Sequence, residues 1–142
     1  MKIPRYLLPA ITLVALTSVI YWFSAGGRYY PVMIVNLPNN EGNLTFIERP
    51  WRTTEECRHS IRKMQTALGT SCTACQIHSE CASSPDPRWI NALHNQPIDL
   101  YMVQSDTLRI LIDTPAAAEV CLAMARQINQ SGKTTGHCLA PK

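Results

Sequence analysis

The chain has 142 residues, is 46% hydrophobic, and carries only 16% charged side chains with a formal charge of +3. Soluble domains average about 25% charged residues. Lys2 and Arg5 precede an apolar run; without them 11 basic residues face 10 acidic ones, which excludes the basic face a general nucleic-acid binder needs.

Leu7–Ala25 (LLPAITLVALTSVIYWFSA) runs for 19 residues without a charge. As a helix it would rise about 28 Å, close to the hydrocarbon thickness of a bilayer. Tyr21, Trp22 and Phe23 stand where an interfacial aromatic belt is expected, and Tyr29 and Tyr30 extend it. The pattern predicts an uncleaved signal anchor over residues 1–27. Lys2 and Arg5 hold its start in the cytoplasm, and residues 28–142 are translocated. Cleavage near Ala25–Gly27, releasing a secreted domain, is the alternative. No cysteine precedes Cys57, so an N-terminal lipid anchor on cysteine is not expected.

Pro31–Asn36 (PVMIVN) and Asn43–Glu48 (NLTFIE) read as strands, and Leu37–Gly42 (LPNNEG) reads as the turn between them. Arg49-Pro50-Trp51 stops the second strand. Thr53 and Glu56 form a capping box, and Cys57, Ile61, Met64 and Leu68 then recur at helical spacing up to Gly69. Ser71–Gln96 reads as an irregular cysteine-rich connector, with a short helix over Arg88–His94.

The plan then repeats. Ile98–Gln104 and Thr107–Ile112 flank Ser105-Asp106 as a second hairpin. Asp113 or Thr114 is expected to cap the next helix, with Pro115 at its first position. Ala117, Cys121, Met124 and Ile128 share one helical face, and Gly132 ends it. A shift of 64 residues places Leu44 on Leu108, Phe46 on Ile110 and Cys57 on Cys121. The expected fold is a disulfide-stabilised α+β two-layer sandwich of β-β-α-β-β-α order behind the transmembrane helix. It has a four-stranded antiparallel sheet and two helices on one face. Its half-units span about 30–70 and 97–132, with the connector over about 71–96.

All six cysteines lie beyond the apolar run, and an even number in a small exported domain reads as disulfides. A segment leaving the first helix must run back to meet Cys57. Cys72 is too close to the helix end to do so comfortably, whereas Cys75 closes easily. The expected bonds are Cys57–Cys75, Cys121–Cys138 and, by elimination, Cys72–Cys81. The runner-up is Cys57–Cys72 with Cys75–Cys81. Two chemical readings compete. Cys72-x-x-Cys75 has the spacing of a thiol-disulfide exchange motif, but it follows a helix where such motifs open one. Cys72, Cys75, His78 and Cys81 recur every three residues, a step that drifts around a helix and does not converge on one metal ion.

The remaining signals are weak. Gly132-Lys133-Thr134 lacks the earlier glycine of a phosphate-binding loop. His59, His78, His94 and His137 are scattered. Glu55 and Glu56 fit capping and the helix dipole better than an acid pair. Trp51 and Trp89 are the candidates for a binding surface. No cofactor is expected. The sequence therefore predicts a non-catalytic, membrane-anchored binding or scaffolding module of the cell envelope. It faces the periplasm, or alternatively a eukaryotic lumen or cell surface. Its expected partners are the membrane, through Leu7–Ala25, and an envelope protein or glycan. The alternative is an exported thiol-disulfide oxidoreductase using Cys72 and Cys75.

Overall fold

A computed structural model describes residues 28–69 and 71–142. The predicted anchor over Leu7–Ala25 lies outside the described residues. No helix among them is long and apolar enough to cross a membrane.

Six strands form one antiparallel sheet: β1 (Tyr30–Asn36), β2 (Asn43–Glu48), β3 (Gln76–Ala82), β4 (Tyr101–Gln104), β5 (Leu108–Asp113) and β6 (His137–Leu139). Their order is β3-β1-β2-β5-β4-β6. Three helices accompany them: α1 (Thr54–Leu68), α2 (Pro87–Leu93) and α3 (Ala117–Gln130). The expected four-stranded sheet is thus corrected to six strands. The connector contributes β3 on one edge, and the C-terminus contributes β6 on the other.

The layout is twofold. Each half is a β-β-α-β unit, and the halves join through β2 and β5. The 64-residue shift makes Phe46 equivalent to Ile110, and the β2–β5 register pairs these same two residues. A pseudo-twofold axis therefore passes between them.

Strand alternation sorts the side chains onto two faces. Met33, Val35, Phe46, Val103, Ile110 and Ile112 meet Cys57, Ile61, Met64, Cys121 and Ala125 of α1 and α3 in the larger core. Val32, Ile47, Met102 and Leu111 point the other way, under Ala92 and Leu93 of α2. The two-layer expectation is corrected here as well. The connector folds back as α2 and covers the second face, since a sheet apolar on both faces must bury both.

Local chemistry sets the element ends. Thr53 and Glu56 make the reciprocal capping box of α1, and Gly69, with φ of 58°, closes it. Asp86 caps α2 by accepting from the Arg88 amide at 2.8 Å, with Pro87 in its first turn. The cap expected from Asp113 or Thr114 does not form. Pro115 lies before α3, whose N-cap is Ala116 and lacks a side-chain hydrogen bond. The β1–β2 turn needs Gly42, where φ is +109° and a Cβ would stand 1.9 Å from the Asp113 carbonyl oxygen.

The disulfides are Cys57–Cys81, Cys72–Cys75 and Cys121–Cys138. The expected Cys57–Cys75 and Cys72–Cys81 bonds do not form, nor do those of the runner-up pairing. The reason is the geometry of the return path. From Cys57 to the end of α1 is a rise of about 16 Å, and a strand covers that distance in about five residues. Gln76 therefore starts β3 near the end of α1, and Cys81 arrives beside Cys57. Cys75 stays near the helix end, within reach of Cys72. Each half thus bonds the early part of its long helix to its own outer strand.

Candidate functional site

Beyond the end of β2 the chain runs Arg49-Pro50-Trp51. Continued ladder register would set Tyr29 opposite Pro50, which has no N–H to donate. The bridge forms instead at Trp51, which exchanges two 2.9 Å backbone hydrogen bonds with Tyr29. The backbone of Trp51 is fixed by this bridge, while its side chain stays 42% exposed.

Opposite lies one face of α1. Glu56, His59, Ser60 and Lys63 follow the i, i+3, i+4, i+7 spacing that aligns side chains along a helix. With Glu48, Arg49, Pro50, Trp51 and Thr107 they line a cleft of about 420 Å³. Two of its carboxylates are held in place. Buried Ser60 donates its hydroxyl to Glu48. Glu56 accepts from the amide and hydroxyl of Thr53, at 3.2 and 3.0 Å. Among the described residues, Arg49 and Lys63 form no salt bridge. The cleft therefore presents fixed acceptors, two cations outside any salt bridge among the described residues, and an exposed indole.

A second depression adjoins it. α1 packs on β1 and β3, and α3 packs on β4, β5 and β6, so a groove is left between the helices above β2 and β5. Phe46, Met64, Leu68, Leu108, Ile110, Met124 and Ile128 give it apolar walls enclosing about 560 Å³. Glu48 and Lys63 border both the groove and the cleft.

The other sequence candidates lie apart from the cleft. Trp89 is half-buried and covers the second face of the sheet from α2. Cys72 and Cys75 are bonded to each other in the loop leading into β3, at the end of α1 and not at a helix N-terminus. Cys81 is committed to Cys57, and His78 is exposed on the face of β3 opposite the disulfides. No group of three metal-ligating side chains is gathered among the described residues.

The structure adds Arg109, which sequence reasoning did not single out. It is 3% exposed on β5, faces the α2 layer, and has no carboxylate partner among the described residues. It donates to the carbonyls of Ser105 and Leu108 and to Asn95 Oδ1, fixing a residue of positive φ, while its Nε is unpartnered. Burial, and secondarily the nearby Arg49 charge, lowers its pKa from the ordinary arginine value. It reaches from its own strand to the β4–β5 turn and to the turn after α2, and so ties the β4–β5 hairpin to the end of α2.

Comparison with family models, curated proteins and solved structures finds no match to this chain. What the fold itself defines is a small mixed α+β domain with an antiparallel sheet and three disulfides.

Proposed function

We propose that this protein is a membrane-anchored, extracytoplasmic binding module of the cell envelope, and that the Trp51 cleft is its recognition surface. The observation that carries the reading is the state of the cysteines. All six are bonded, and two bonds tie buried helix sulfurs to outer strands. Such bonds persist in oxidising compartments and are rare in the cytosol. The uncharged run Leu7–Ala25 supplies the export signal and anchor.

The oxidoreductase reading draws on Cys72–Cys75, the one bond with neither sulfur deeply buried. The loop position deprives it of the helix N-terminus that lowers a reactive thiol's pKa, so binding is favoured over catalysis. The full chain, purified from membranes without reductant, should contain no free thiol. A periplasmic alkylating reagent should label it only after reduction. Six free thiols in freshly isolated protein would overturn the reading.

A further inference from the structure

The pseudo-twofold provides an internal control. The shift that carries Cys57 to Cys121 carries Glu56, His59, Ser60 and Lys63 of α1 to Val120, Ala123, Met124 and Gln127 of α3. It also carries Glu48 to Ile112 and Trp51 to Pro115, whereas Arg49 falls on the charged Asp113 and is not part of this contrast. The second half builds the same helix-on-sheet unit with apolar or uncharged residues at these positions. The fold therefore does not require the polar stripe or the exposed indole. Their presence in one half only marks an added role.

The chemistry of that role follows from the residues. A polyanion would meet Glu48 and Glu56, and a polycation would meet Arg49 and Lys63. A ligand whose groups both donate and accept hydrogen bonds fits both signs at once. The indole, carried on a backbone held by the Tyr29 bridge, offers a flat apolar face. A pyranose ring has both features, with hydroxyls at its edge and a C–H face that stacks on an aromatic ring. The cleft, at about 420 Å³, falls within the about 300–1,000 Å³ of small-ligand sites. We infer that the Trp51 cleft binds an uncharged glycan segment, stacked on Trp51 and hydrogen-bonded to Glu48, Glu56, Arg49 and Lys63. This inference deepens the binding-module reading and rests on it.

The test is calorimetric titration of the full chain in detergent micelles with a β-1,4-linked N-acetylglucosamine tetramer. Saturable binding is expected. Trp51→Ala should weaken it at least tenfold, and Trp51→Phe should keep it within about threefold of the original, as stacking requires. Equal thermal midpoints for the variants verify that both are folded. Absence of tetramer binding, or binding indifferent to Trp51→Ala, overturns the assignment. So does Trp51-dependent binding of a tetrapeptide of mixed charge, or of phosphatidylglycerol vesicles, in its place. Failure of the tetramer with all cysteines oxidised defeats the glycan alone, whereas reduced cysteines defeat the underlying reading.

Discussion

Removing the three disulfides one at a time should rank them by loop length. Cys57–Cys81 spans 24 residues and Cys72–Cys75 spans three. In the chain-entropy account, these loops restrict the unfolded state by about 3.4 and about 1.6 kcal/mol respectively. Burial widens the gap. Cys57 is fully buried in the helix-side core, so Cys57→Ala also leaves a small cavity. The Cys57→Ala/Cys81→Ala variant should lose about 3–5 kcal/mol, a large share of the roughly 5–15 kcal/mol typical of a domain. Cys72→Ser/Cys75→Ser should lose about 1–2 kcal/mol. At roughly 3–6 °C per kcal/mol for this size, the midpoints should fall by roughly 9–30 °C and 3–12 °C. Thermal unfolding followed by circular dichroism without reductant measures both. Equal losses, or a larger loss from the Cys72/Cys75 variant, would refute the ranking and the connectivity behind it.

Three other substitutions probe the fold. Gly42→Ala meets both a positive φ and the Asp113 carbonyl, and should cost about 2–4 kcal/mol in urea unfolding; a neutral result would mean that the β1–β2 turn is elsewhere. Asp86→Ala removes the α2 cap and should cost about 0.5–2 kcal/mol at pH 7. The Arg88 side chain, and next the Arg88 amide, holds the Asp86 carboxyl below its ordinary value of 3.8. Because the folded pKa is the lower one, this contribution is present above that value and fades as pH falls through the folded pKa; the gap between wild type and variant should therefore narrow in titrations below about pH 4. Thr53→Ala breaks one arm of the capping box and should cost about 1 kcal/mol by the same urea assay; no change would show that Glu56 alone holds the start of α1.

The hairpins and long helices were legible because their periods are strong. Asn43–Glu48 has the bounds expected from its alternation, and Thr53 and Glu56 announce α1. The outer strands were not legible. In β3, Ile77, Ser79 and Cys81 face α1 while Gln76, His78 and Glu80 face outward, and an edge strand with so few apolar residues resembles a loop. In β6 only His137–Leu139 pairs, too short for any period to show. The partner of Cys57 depends on β3: a loop after α1 would bring Cys75 to Cys57, whereas the extended strand delivers Cys81 there. Half of the cleft was visible in principle. The Glu56, His59, Ser60, Lys63 stripe lies along one helix, but its meeting with Trp51 depends on where β2 delivers Arg49-Pro50-Trp51 in space.

The same internal symmetry predicts how the cleft is coupled to the fold. Ser60 is buried and gives its hydroxyl to Glu48, a half-buried carboxylate at the end of β2. Ser60→Ala removes the hydroxyl that the Glu48 carboxylate accepts from. Water reaches Glu48 from the cleft, so the cost should sit at the lower end of the usual range, about 1–1.5 kcal/mol. In the other half the positions of Glu48 and Ser60 are Ile112 and Met124, which need no hydrogen bond. Replacing both partners with apolar groups should therefore recover stability: Glu48→Ile/Ser60→Ala should cost less than Ser60→Ala alone. A double-mutant cycle by urea unfolding should then give a coupling of about 1 kcal/mol, larger than the about 0.5 kcal/mol expected of independent sites. Simple additivity would show that the pair does not act as a unit. The polar residues of the first half would then not be an addition to an otherwise apolar frame.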